Sequence, residues 1–179
     1  MKTIFNEGNK QSIMEVLDAK DKRVRMQKKI FEKYPNSVMV DVNMNIPGSI
    51  KNNQYLQKLF KKGINDLEKE FQKQNLNYKL VVSWNKDTGC ENFYILHNKI
   101  NYVKKCTISF EDETAFGRLF DADVLVKQQK QALSRKNLGL TVRKCFLCSR
   151  PAKECARSRR HSVEELQEYI SQLYFENMD

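Results

Sequence analysis

Two aspartates two residues apart, Asp121 and Asp123, stand in the segment Gly117-Arg118-Leu119-Phe120-Asp121-Ala122-Asp123-Val124-Leu125-Val126. Side chains alternate along a strand, so Phe120, Ala122, Val124 and Val126 form one apolar face. Leu119, Asp121, Asp123 and Leu125 then share the other. The two carboxylates stand about 6–7 Å apart, from a rise of about 3.3 Å per residue. Aspartate is disfavoured in strands, so a pair flanked by leucines calls for a reason. One is chemical: Mg²⁺ prefers carboxylate and phosphate oxygens, and such a pair can hold an ion against a polyphosphate during nucleotidyl transfer. The other is structural, since charges on a strand face blunt an exposed edge. Glu111, Asp112 or Glu113 would supply a third carboxylate.

A second cluster is Cys145-x2-Cys148-x6-Cys155-x5-His161. Three thiols and an imidazole suffice for a tetrahedral zinc site, and Cys-x2-Cys is a familiar metal-binding pair, although the later spacings match no standard zinc finger. The competing reading is a set of reduced, partly buried thiols beneath a terminal helix. Interleaved with the cysteines are Arg143, Lys144, Arg150, Lys153, Arg157, Arg159 and Arg160. Guanidinium groups grip phosphate oxygens through paired hydrogen bonds. A nucleic-acid patch has the same composition, but only Phe146 is at hand for base stacking, which disfavours single-strand recognition. A solvated basic face is the third reading.

The elements that must position these residues follow from periodicity. Ser12 and Glu15 have capping-box spacing, and Ile13, Leu17, Val24, Ile30, Phe31 and Tyr34 recur at helical intervals until Pro35. Ser37 to Val42 reads as a strand. A second helix carries Leu56, Phe60, Ile64, Leu67 and Phe71 on one face. Lys79 to Trp84, Glu91 to His97, Tyr102 to Phe110 and Arg118 to Val126 read as strands, Lys127 to Asn137 as a loop. Ser162 and Glu165 repeat the capping box before a last helix through Leu166, Tyr169, Ile170 and Leu173. The order helix, strand, helix, then an antiparallel-rich sheet, a Cys-rich segment and a helix gives α+β.

The chain of 179 residues has the size of one ordinary domain, with residues 142–179 as a Cys/Arg-rich C-terminal subregion. Apolar residues are 40% and charged residues 30%, a composition that argues against disorder. The net charge of +10 indicates an anionic substrate or partner. No apolar run approaches a membrane span, the first residues lack a signal-peptide core, and five cysteines without a secretion signal argue against a disulfide framework. The expected location is cytoplasmic.

The ordered set Gly117 to Val124, Leu133-Ser134-Arg135, Arg143-Lys144-Cys145-Phe146-Leu147-Cys148 and Cys155-Ala156-Arg157-Ser158-Arg159-Arg160-His161 resembles the citrate lyase holo-acyl-carrier-protein synthase family. Arg23 and Gln27, one turn apart on the first helix, and the turn Pro47-Gly48-Ser49-Ile50-Lys51 resemble further motifs of that family. The likeness runs from about Leu17 to Leu166. It departs at Thr114-Ala115-Phe116, where the family carries a His-Pro pair. The resemblance implies transfer of a phosphoribosyl-dephospho-CoA group from 2′-(5″-triphosphoribosyl)-3′-dephospho-CoA to a serine of the apo acyl carrier protein of citrate lyase, releasing diphosphate. It implies Asp121 and Asp123 as Mg²⁺ ligands, Arg118 beside them, and Arg23, Gln27, Lys51, Arg135, Arg157, Arg159 and Arg160 toward substrate. Two alternatives stand beside it: the equivalent transferase for the malonate decarboxylase carrier, and a zinc-stabilised nucleic-acid-binding module. Against the module, Asp121 and Asp123 would repel a phosphate backbone unless a metal sat between them.

Overall fold

The computed structural model describes residues 2–178. Its order is α1 (Ile13–Lys33), β1 (Val38–Met44), α2 (Gln54–Lys73), β2 (Tyr78–Lys86), β3 (Gly89–Leu96), α3 (Ile100–Glu113), β4 (Phe120–Leu125), α4 (Ala152–Ser158) and α5 (Val163–Asn177). Short 3₁₀ turns occupy Gly117–Leu119 and Lys136–Leu138. The four strands form one antiparallel sheet in the order β2-β3-β1-β4, so β4 is an edge strand. The α+β architecture expected from the sequence is the one observed.

Local chemistry starts the helices where their sequences indicate. Ser12 Oγ accepts the Glu15 N–H while Glu15 accepts the Ser12 N–H, and Ser162 and Glu165 repeat this at α5. Each box satisfies donors the helix would otherwise orphan. Helix α2, capped by Asn53, lays Leu56, Leu59, Phe60, Ile64, Leu67 and Phe71 on the sheet. Burial of each large side chain is worth about 1.5–3 kcal/mol. Gly63 lets α2 approach closely, since a Cβ there would collide with the Phe120 ring. Val38, Val40, Val42, Tyr94, Leu96, Ala122 and Val124 complete this main core, which α3 and α5 enter through Val103, Phe110, Ile170 and Tyr174.

The opposite sheet face is covered differently. Ile30 and Phe31 near the C-terminal end of α1 pack on Met39, Phe93 and Ile95, a small second core. They are the buried residues of this 21-residue helix. Its earlier turns therefore lie over the sheet on polar contacts, and those contacts build the site described below.

Two local expectations are corrected. Tyr102 to Phe110 is helical, part of α3, where a strand was expected. Its alternating apolar and β-branched residues suit a strand, but Val103, Cys106, Thr107 and Phe110 also recur at i, i+3, i+4 and i+7 and are buried together. Leu119 does not share a face with the aspartates: the 3₁₀ turn preceding β4 rotates it into the main core, fully buried. From Phe120 onward the alternation holds, with Phe120, Ala122 and Val124 buried, Asp121 half-buried and Asp123 exposed.

Candidate active site

Strand register brings the acidic residues together. In the β1–β4 ladder Asp41 lies opposite Asp123, and Asn43 opposite Asp121. In the β1–β3 ladder Asn43 lies opposite Glu91, and Asp41 opposite Phe93. Directly opposed residues share a face. One row across the sheet therefore reads Glu91, Asn43, Asp121, and the next reads Phe93, Asp41, Asp123. Four carboxylates gather on the face that the early turns of α1 cross.

Like charges directly opposite one another are destabilising, and α1 supplies the compensation. Arg23 Nε donates to Glu91 Oε1 and lies 3.9 Å from Asp41 Oδ2. Gln27 Nε2, one turn on, donates to Asp41 Oδ2 at 2.7 Å. Burial works against the Arg23 cation, but Glu91, Asp41 and Asp123 together raise its pKa above the ordinary value. Asp41 is 1% exposed, and its Oδ1 has no hydrogen-bond partner. Burial first, then the neighbouring Glu91 carboxylate, push Asp41 well above the usual carboxylate range. Asp123 is raised by desolvation and by Asp121, with Lys104 opposing the shift.

The β4 edge is closed by the helix that the sequence presented as a strand. Glu111 Oε1 accepts the outward Ala122 N–H at 2.9 Å, while Glu111 Oε2 and the Asp112 carboxylate receive the Arg135 guanidinium at 2.8–2.9 Å. Glu111 and Asp112 are thus engaged with backbone and Arg135, and the carboxylate standing across from the aspartate pair is Asp41. Thr114 Oγ1 donates to Phe110 O at 2.7 Å and ends α3. Gly117 then passes so close to the helix end that a Cβ would strike Phe110 O, which makes glycine a requirement immediately before Arg118.

Arg118 Nε and Nη2 are buried and have no partner, while its carbonyl accepts from Arg143 Nη2. Arg143 Nη1 donates to Asp121 Oδ1. Arg118 is thus tied through its backbone and Arg143 to Asp121, and two of its side-chain nitrogens keep unused donor capacity. Lys51 Nζ donates to Ile46 O at 2.5 Å, and desolvation followed by nearby Lys20 lowers its pKa. Next to the acidic face, a cleft of about 270 Å³ opens between α1 and the β2–β3 hairpin, bordered by Glu15, Ala19, Arg23, Trp84, Gly89 and Glu91.

The cysteines also converge. The donor atoms of Cys145, Cys148, Cys155 and His161 all lie within 4.8 Å of one another. Cys148 Sγ is 3.4 Å from Cys155 Sγ and 3.4 Å from His161 Nε2. A tetrahedron with zinc–sulfur bonds of about 2.3 Å has edges of about 3.8 Å, so the donor set suits such an ion. Helix α4 makes the convergence: it carries Cys155, and Arg159 in the left-handed conformation (φ 48°) turns the chain back so that His161 returns to the cluster. His161 helps hold the Cys148 thiol down at about 6, whereas burial and the neighbouring thiols push Cys155 up to about 11. Arg157, Arg159 and Arg160 are exposed around this cluster.

The structure therefore gathers Asp121, Asp123, Arg23 and Gln27 at one site, with the Arg118 backbone linked to Asp121 through Arg143, and the four zinc-type donors at another. Arg135 is engaged with Glu111 and Asp112. Sequence reasoning missed Asp41 and Glu91, although a lone aspartate inside the apolar run Val38-Met39-Val40-Asp41-Val42 was a signal available to it. Lys104 was missed because its helix was read as a strand.

Residues 11–177 match the family model described as apo-citrate lyase phosphoribosyl-dephospho-CoA transferase. The chain is 35% identical over 174 residues to a protein of Streptococcus pyogenes serotype M3 named probable apo-citrate lyase phosphoribosyl-dephospho-CoA transferase, covering 96% of this chain and 90% of that one. A Vibrio cholerae serotype O1 protein of the same name is 32% identical over 163 residues, 90% of each chain. Similarity also extends to Protein CitXG of Leuconostoc mesenteroides subsp. cremoris, 34% identical over 169 residues; these are 94% of this chain but only 36% of that longer protein.

Proposed function

Because the chain belongs to the apo-citrate lyase phosphoribosyl-dephospho-CoA transferase family, we propose that it transfers the 2′-(5″-phosphoribosyl)-3′-dephospho-CoA group from its triphosphate precursor to a serine of apo-citrate lyase acyl carrier protein. The serine oxygen bonds to the phosphorus nearest the ribose, the bond from that phosphorus to the diphosphate oxygen breaks, and the hydroxyl gives up its proton. The observation that carries this reading is Asp121 and Asp123 on one face of β4 with Asp41 across the ladder, while Arg118, in the turn that leads into the same strand, holds two side-chain nitrogens without a partner.

Such a reaction requires neutralising the triphosphate and the departing diphosphate. The oxygen donors of Asp121 and Asp123, with the idle Asp41 Oδ1 across the ladder, suit Mg²⁺. When bound, that ion neutralises phosphate charge and holds the triphosphate. Arg118 offers two free donors to phosphate oxygens. Lys51, Arg157, Arg159 and Arg160 add positive charge that draws in the donor and an acidic carrier. Arg23 and Gln27 act through Asp41 and Glu91, fixing where the carboxylates stand.

Cys145, Cys148, Cys155 and His161 form a closed four-donor set that would hold zinc structurally rather than at a catalytic open position. We read the whole chain as one transferase unit, with residues 142–179 as its Cys/Arg-rich subregion. No helix among the described residues is long and apolar enough to cross a membrane. Free thiols of this kind persist in reducing compartments, which supports the cytoplasmic reading.

The test is release of diphosphate from the triphosphoribosyl donor. Release that requires both the apo carrier and Mg²⁺ supports the reading. Release by water alone, or none with both present, refutes it.

A further inference from the structure

The proposed reaction leaves unused the contact that joins the two clusters. We infer that Arg143 is a phosphate-chain ligand of this site and that the Cys145/Cys148/Cys155/His161 cluster is the anchor that delivers it. The inference rests on the donor reading above and adds a residue and a dependence to it.

The anchor is needed because burial cannot fix this part of the chain. From Leu125 to Glu154 no residue is buried, and the next buried side chain is Cys155. Phe146 stacks on Tyr169 with ring centroids 5.2 Å apart, but it is only half-buried. A segment with so little apolar burial does not offset its own ordering entropy. The alternative restraint is the cluster, which ties the chain at four points over 17 positions, Cys145 to His161.

Arg143 lies two residues before the first of these ligands, and its backbone belongs to the same knot. Ala152 N donates to Arg143 O at 2.9 Å, Cys145 N donates to Arg150 O at 2.8 Å, and Lys144 bridges to Pro151. The turn between the paired segments carries Cys148, and α4, beginning at Ala152, carries Cys155. Fixing the thiols therefore fixes the base of the Arg143 side chain. Its tip reaches Asp121 and the Arg118 carbonyl, and the side chain is 21% exposed.

The contact with Asp121 indicates what Arg143 does when the site fills. Asp121 is half-exposed and is one of two carboxylates placed for a divalent ion. An ion bound there competes with the guanidinium for the same oxygens, and the two cations repel. The displaced guanidinium remains tethered at the edge of the site, next to the Arg118 backbone, and the Arg118 side chain itself holds Nε and Nη2 without partners. A triphosphate brought in by the metal gives both arginines oxygen acceptors in the fork geometry that guanidinium matches. Arg143 thus guards Asp121 before binding and grips the phosphate chain afterwards.

Calorimetric titration of inorganic tripolyphosphate with Mg²⁺ tests this on the full-length protein, with zinc measured by elemental analysis on every sample. Arg143→Ala should weaken binding about 10–100-fold while leaving the zinc content unchanged, and Arg143→Lys should recover only part, because it keeps the charge and loses the fork. Wild-type protein stripped with 1,10-phenanthroline, its circular dichroism otherwise intact, should lose a comparable factor. Wild-type affinity in Arg143→Ala, or in the stripped protein, overturns the inference. If Asp121→Asn abolishes binding while Arg143→Ala does not, the transferase reading stands and this one falls. Failure of the wild-type protein to bind tripolyphosphate removes the donor reading and the inference with it.

Discussion

Asp41 and Asp123 face each other directly across the β1–β4 ladder, two carboxylates on neighbouring strands with no cation between them on the sheet itself. Each is held above its ordinary pKa, Asp41 by burial and Glu91, Asp123 by desolvation and Asp121. The fold maintains this arrangement against its own repulsion by laying Arg23 and Gln27 over it. A structure that bears such a cost at one point on its sheet has a use for negative charge there, and a divalent ion is the partner that relieves it.

Replacing either aspartate of β4 should separate activity from folding. Asp121→Asn and Asp123→Asn remove a charge from a crowded face without changing shape. Transfer to the carrier is expected to fall by at least about 10³-fold, while the melting temperature without Mg²⁺ holds or rises. Turnover near wild type in either variant, measured with saturating Mg²⁺, would refute the metal role.

Asp41 predicts a pH dependence whose sign can be stated. Its native pKa lies above the unfolded reference of 3.8, so its protonated form is the one the fold favours. The stability it contributes is fully present below pH 3.8 and is lost as pH rises through the raised native value. Asp41→Asn removes that loss. Thermal melts from pH 4 to 8 should show the variant gaining on wild type as pH rises, by about 2–4 °C for each kcal/mol of repulsion relieved. A constant difference across the range would mean that Asp41 ionises without strain.

Arg23 holds the opposite position. Its loss leaves Glu91 and Asp41, 6% and 1% exposed, without their cation. Removing one partner of a buried pair typically costs about 3–5 kcal/mol, with the lower end expected here because the Arg23 side chain is 27% exposed. Urea unfolding of Arg23→Met should show that loss, and Arg23→Met combined with Glu91→Gln should recover part of it. Wild-type stability in the single variant would show that the pair is redundant.

Much of this was legible in the sequence, for identifiable reasons. Both capping boxes, the apolar stripe of α2 and the alternation of β4 from Phe120 onward are local patterns, and each appears as read. Tyr102 to Phe110 was not, because its residues satisfy the two-residue and the helical period at once, and only packing on β4 decides between them. Of the site, Asp121 and Asp123 were visible because they lie on one strand. Asp41 joins them by pairing with Asp123 across 82 positions, and Glu91 by pairing with Asn43 across 48, and pairing of that range leaves no trace in local periodicity. The zinc-type donors were found by spacing, but their link to Asp121 through Arg143 depends on a long loop that sequence does not place.

Metal analysis addresses that second cluster. The purified protein should carry about one equivalent of zinc, and Cys148→Ser should lower it sharply, since Cys148 contacts both Cys155 and His161. Chelation should also lower the melting temperature, because metal bound only to the folded state stabilises it. A fully folded, metal-free protein with unchanged stability would make the cluster a set of packed thiols.

The central claim is the transfer itself, and intact-mass spectrometry of the carrier reads it most directly. Apo-citrate lyase acyl carrier protein incubated with this protein, the triphosphoribosyl-dephospho-CoA donor and Mg²⁺ should gain the mass of one phosphoribosyl-dephospho-CoA group. The gain should vanish with EDTA and when the acceptor serine is replaced by alanine. An unmodified carrier under conditions where the donor is intact and Mg²⁺ is present would contradict the account.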